Sequence, residues 1–128
     1  MASGNPQGIA AEVVLNRIGG GSVANLRLSP LDLQETPPGI SVLLGGTPQD
    51  AAAQMRRAYP LSRKWRHTAG TVATGKVGAV RQAGFDVILD PRSRFPNHAR
   101  LIHPAGVAGF TDANLAALAG VLTDTTGC

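Results

Sequence analysis

The sequence predicts one α+β or α/β domain with about five short strands and about three helices. Three observations carry this expectation. The chain has 128 residues, room for one core and not for two. Its composition, 43% hydrophobic and 16% charged, supports a buried interior rather than disorder. Short apolar or alternating runs of strand length also interleave with segments that carry helix-start and helix-stop residues. With three Phe, one Tyr and one Trp, the core must be built mostly from Val, Leu, Ile and Ala.

The elements follow in order. Residues 1–8 are expected to fray at the start of a domain spanning 1–128, because Gly4, Pro6 and Gly8 interrupt any element. Residues 11–18 form an apolar stretch of undecided type, closed by Gly19, Gly20 and Gly21. Residues 23–28 alternate apolar and polar and read as a strand. Pro37, Pro38 and Gly39 mark a turn before a buried strand over 40–44. Thr47 is a helix cap, Pro48 suits the first helical position and Asp50 favours the positive end of the dipole, so a helix runs to about Ala58. Residues 71–73 read as a strand, after which Thr74 caps a helix over 75–83 that Gly84 stops. Residues 85–89 are the most strand-like run, ended by Asp90 and Pro91, and 99–102 form a further strand. Thr111 and Asp112 open a last helix with Leu115, Leu118 and Leu122 on one face.

Charge is unevenly distributed. Between Arg56 and Arg100 ten basic residues face two acids, a balance of +8, whereas the rest carries two basic residues and six acids, a balance of −4. A basic middle suits a phosphate-bearing or otherwise anionic partner, and equally a merely solvated surface. The only cysteine, Cys128, excludes an intrachain disulfide and a cysteine-rich metal site. No signal-peptide pattern and no run of about 18 apolar residues occurs, so no membrane association, a cytoplasmic location, no metal and no cofactor are expected.

Three constellations carry chemistry. Gly70 to Lys76 has the G-x-x-x-x-G-K spacing of a phosphate-cradling loop, and Lys76 would reach the anion; Val77 stands where magnesium binding needs a hydroxyl. Arg63, Lys64, Trp65, Arg66 and His67 surround the one Trp with cations, combining phosphate contacts with a stacking face; the alternative is a Trp that anchors the core beneath solvated charges. The third constellation runs from Asp90 to His103 and contains Arg94, His98 and Arg100. A His is the residue for acid–base work near neutral pH, and the arginines suit an anion clamp. On a regular strand His98 and Arg100 share a face and His103 points away, so a site joining both histidines needs a bend. The alternative is a histidine bonded to backbone at a turn.

The runs 26–30, 39–42, 85–91 and 96–101 resemble a group of small bacterial single-domain proteins with a D-P-x(4)-P-x-H-A signature, here Asp90, Pro91, Pro96, His98 and Ala99. The resemblance implies a short α/β domain of bacterial origin in which Asp90, Pro91 and His98 form one unit, and it brings no activity with it.

These residues lead to a binding or accessory module that engages an anionic ligand, nucleic acid or protein partner through its basic middle. Arg63, Lys64, Trp65, Arg66, His67, Lys76, Arg94 and Arg100 are the contacts. A second expectation is a compact enzyme on a phosphate-bearing or acyl substrate, with His98, His103 and Asp90 as catalytic candidates. A third is a structural or interaction component, and a homo-oligomer is compatible with all three. Whether the chain is an enzyme stays open at this level.

Overall fold

The protein was described from a computed structural model covering residues 8–128. The frayed start expected at 1–8 therefore lies, apart from Gly8, outside the described residues. Six strands form one antiparallel sheet in the order β4-β5-β2-β1-β3-β6. They are β1 (Val14–Ile18), β2 (Ile40–Leu44), β3 (Thr71–Lys76), β4 (Asp86–Leu89), β5 (His98–Ile102) and β6 (Thr123–Thr126). Five helices accompany them: α1 (Val23–Leu26), α2 (Pro48–Ala58), α3 (Arg63–Thr68), α4 (Val77–Gln82) and α5 (Asp112–Ala119). The α+β class agrees with the sequence, with one more strand and two more helices than expected.

Period-two alternation divides the core into two layers. On one face Leu15, Ile40, Val42, Val87, Ala99 and Leu101 pack against Leu26 of α1, Val77 and Val80 of α4, and Leu115 and Leu118 of α5. On the other, Ile18, Leu43 and Val72 pack against Ala51 and Ala52 of α2, with Met55 and Trp65 at the margin. Helices thus cover both faces, and the small Ala51–Ala52 pair lets α2 lie close to the sheet. The start of α2 is a reciprocal cap: Thr47 Oγ1 accepts from the Asp50 amide and Asp50 Oδ2 accepts from the Thr47 amide, both at 3.0 Å. No helix among the described residues is long and apolar enough to cross a membrane.

Four differences from the sequence reading stand out, two of them corrections and two, helix α3 and strand β6, elements it did not anticipate. Residues 23–26 are helical, because Ser22 Oγ accepts from the Asn25 amide at 3.2 Å and starts a turn that outweighs a short alternation. The basic run 63–68 is helix α3, capped by Ser62, which takes the Trp65 amide. Residues 123–126, polar and without an apolar alternation, form the edge strand β6. The fourth is the G-x-x-x-x-G-K segment. It is strand β3, paired residue for residue with β1, and not a loop at a helix start. Gly75 is there for packing: a Cβ would stand 2.7 Å from Leu122 Cδ2 and 2.9 Å from the Val121 carbonyl. Helix α4 begins only at Val77, and Lys76, its flanking residue, makes no side-chain cap.

Candidate functional site: a groove over the parted strands β1 and β2

The sheet has an opening in its middle. Strand β1 pairs with β3 at five positions but with β2 at two, Leu15 with Leu44 and Asn16 with Leu43. The Gly45 amide still reaches the Val14 carbonyl at 2.7 Å, so the strands are joined at that end and part toward Ile18 and Ser41. Asn16, fully buried, holds the joined end through the Gly45 and Gly46 carbonyls and accepts from Thr74 Oγ1 at 2.7 Å.

Arg17 occupies the opening. Its terminal nitrogens donate to the Ser41 carbonyl at 3.0 Å and to the Asn25 carbonyl at 2.7 Å. Its Nε is buried and has no hydrogen-bond partner. Among the described residues it forms no ion pair; Asp32, the carboxylate whose field reaches it, lies beyond contact. Burial pulls the guanidinium below its ordinary range, with Asp32 opposing. A desolvated cation bonded to neutral carbonyls alone lacks the counter-charge that normally accompanies burial.

A groove of about 930 Å³ lies over this opening. Strands β1 and β2 supply its floor, with Asn16, Arg17, Ile18 and Ser41 among the lining residues. One wall is the connection 29–35. The other combines Tyr59 and helix α3 with the hairpin loop between β4 and β5. On that wall Trp65, Tyr59 and Phe95 form a ladder, with centroids 6.3 Å apart for the first pair and 6.1 Å for the second. Lys64 Nζ stands 4.9 Å from the Trp65 ring centroid and the Arg94 guanidinium 5.6 Å from that of Tyr59. All five residues line the groove, which therefore offers aromatic faces flanked by cations above a buried guanidinium.

His98 enters the same groove from the first position of β5. Its Nδ1 lies 2.8 Å from the Asp90 carbonyl and 3.4 Å from Asp90 Oδ2. The carbonyl can only accept, so Nδ1 carries the proton and Nε2 is the basic nitrogen. Among the described residues Nε2 makes no hydrogen bond, and the His98 side chain lines the groove. Burial depresses the His98 pKa against the opposing pull of the Asp90 carbonyl, leaving a neutral imidazole at pH 7.

Asp90 organises this wall. Its Oδ2 accepts from Arg92 at 2.6 Å and from Arg100 Nε at 3.1 Å. The Arg92 bonds, more than any other cause, hold the Asp90 carboxyl below the usual carboxylate range. Arg92 also pairs with Glu35, and Arg100 donates to the Pro37 carbonyl, so both groove walls are tied together through one carboxylate.

The structure brings Lys64, Trp65, Arg94, His98 and Asp90 to this region. Arg100, largely buried, is committed to Asp90 and Pro37. Arg63 and His67 are exposed on α3, and Arg66 donates to the Pro60 carbonyl. Lys76 lies at the end of β3, away from the groove lining. His103 does not meet His98: it packs edge-on to Phe85 at 5.0 Å, beside the other core layer, and its Nδ1 accepts from the Ala105 amide. No group of three or more His, Cys, Asp or Glu positioned to hold a metal occurs among the described residues. Sequence reasoning missed Arg17, although one signal existed: the pair Asn16–Arg17 interrupts an apolar stretch of strand length. Compared with protein families, with curated proteins and with solved structures, the chain matches none.

Proposed function

We propose that this chain binds an anionic ligand in the groove, with a phosphate or carboxylate group completing the charge of Arg17 and a planar group lying on Trp65 and Tyr59. A nucleotide or a nucleotide segment of a nucleic acid has both parts. The observation that carries the reading is the buried Arg17 guanidinium without a carboxylate partner, at the floor of a groove rimmed by Lys64 and Arg94. A bound anion would supply the missing counter-charge, in a site where desolvation strengthens the bond. The reading accords with a cytoplasmic bacterial module, as the lone cysteine and the D-P-x(4)-P-x-H-A resemblance suggest. It moves the centre of binding from the exposed α3 cations to Arg17.

Calorimetric titration with AMP at two salt concentrations tests this. Arg17→Lys, which keeps the charge and one donor, is expected to weaken binding about tenfold, and Arg17→Met to abolish it. Arg63→Ala/Arg66→Ala is expected to change affinity less than threefold. If that double variant loses binding while Arg17→Lys retains it, the exposed surface of α3 is the site and the groove is not.

A further inference from the structure

We propose that the groove is a catalytic site for single-stranded RNA in which His98 Nε2 is the general base and Arg17 steadies the phosphate. The proposal rests on the anion-binding reading above. It adds a reaction, drawn from the juxtaposition of an oriented neutral base and an unpaired cation.

The base is prepared in three respects. The Asp90 carbonyl fixes the proton on Nδ1, the Asp90 carboxylate at 3.4 Å stabilises the imidazolium once it forms, and Nε2 is unbonded. Among the described residues no Ser or Cys side chain is bonded to the His98 ring, so a nucleophile carried by the substrate is the one the base would meet. The 2′-hydroxyl of RNA is such a nucleophile, carried next to the phosphorus it attacks.

His98 and Arg17 both line the groove, His98 from a position opposite Leu43 on β2 and Arg17 through its bond to the Ser41 carbonyl, two residues along the same strand. Trp65 and Tyr59 offer stacking faces for flanking bases, and Lys64 and Arg94 lie where the backbone would leave the groove.

In the step itself, the 2′-hydroxyl proton passes to Nε2 as the O2′–P bond forms and the P–O5′ bond breaks. The departing O5′ takes a proton from water, and the imidazolium returns its own to the hydroxide left behind. The products are a 2′,3′-cyclic phosphate and a free 5′-hydroxyl, with no net change in protons. Arg17 meets the charge on the non-bridging oxygens.

The test uses a short single-stranded RNA, its all-2′-deoxy counterpart, the wild-type chain and His98→Asn. The Asn amide can keep the bond to the Asp90 carbonyl while removing the basic nitrogen. The expected result is wild-type cleavage to cyclic-phosphate ends and no cleavage of the deoxy strand. His98→Asn should bind RNA within about threefold of wild type but cleave it 100-fold or more slowly, the usual range for loss of a general base. Binding by the wild-type chain without cleavage would overturn the proposal and leave the anion-binding reading standing, as would equal cleavage by His98→Asn. Absence of both binding and cleavage would overturn the RNA proposal, while the AMP titration alone decides the anion-binding reading.

Discussion

Arg17 donates to the carbonyl of Ser41 across a gap in which their strands, β1 and β2, are neighbours but no longer paired. One charged side chain thus stands in for part of a backbone ladder. The same side chain lines the floor of the groove, so the irregularity in the sheet and the candidate site have a single origin.

Binding to that cation should be visible in stability. Inorganic phosphate is expected to raise the wild-type melting temperature logarithmically with its concentration above Kd, by mass action on the folded state. Arg17→Met should remove the response at every phosphate concentration. Differential scanning fluorimetry across a phosphate series decides it, and an unchanged response in Arg17→Met would place the anion elsewhere.

His98 predicts a pH dependence of definite sign. Its folded pKa lies below the ordinary 6.5, so the unfolded chain takes up the proton first. Stability is therefore full above about pH 6.5 and falls as pH drops toward the folded value. Urea midpoints between pH 7.5 and 5.5 should decline in the wild type and decline less in His98→Asn.

Asp90 predicts a loss at lower pH. The arginine bonds hold its pKa below 3.8, so its contribution is present above that value and disappears as pH falls through the folded one. Because the carboxylate is only a quarter exposed, Asp90→Asn should cost about 1–2 kcal/mol at pH 7. The difference should vanish in strong acid, measured as urea unfolding of both proteins. A constant gap would mean that the bonds are geometric rather than ionic in their effect.

Gly109 is fixed by His103. A Cβ at Gly109 would lie 2.0 Å from His103 Nδ1, so Gly109→Ala must expel the ring from its place on Phe85 and its bond to the Ala105 amide. The expected cost is about 1–3 kcal/mol. Adding His103→Ala should recover part of that cost but not all of it, because the Cβ at 103 would still stand 2.7 Å from the new methyl, a coupling that a double-mutant cycle reads directly.

What the sequence made legible was local. Helix α2 begins where Thr47, Pro48 and Asp50 require, and α5 begins at Thr111 for the same reason. Strands β2, β4 and β5 are apolar runs bounded by turn residues, and Gly84 turns the chain at a φ of +97°. Strand β6 carries no such pattern, because Thr123, Asp124 and Thr126 are exposed at a sheet edge and bury nothing that would mark them. The loop holding Asp90 and His98 could be singled out since its residues are near in sequence. Arg17 was marked only by the polar pair it forms with Asn16 in an apolar stretch, because its meaning lies in Ser41 and in the width of a gap that only the folded sheet defines.

The parted strands also have a mechanical consequence. The sheet consists of two blocks, β4-β5-β2 and β1-β3-β6, stitched by two residue pairs, the bond from Gly45 to Val14 and the side chains of Asn16 and Arg17. Such a short seam is a natural hinge, and the groove sits along its open side. A ligand bridging Arg17 on one block and His98 on the other would act as a splint, so its binding should slow hydrogen exchange across both blocks, well beyond the residues it touches.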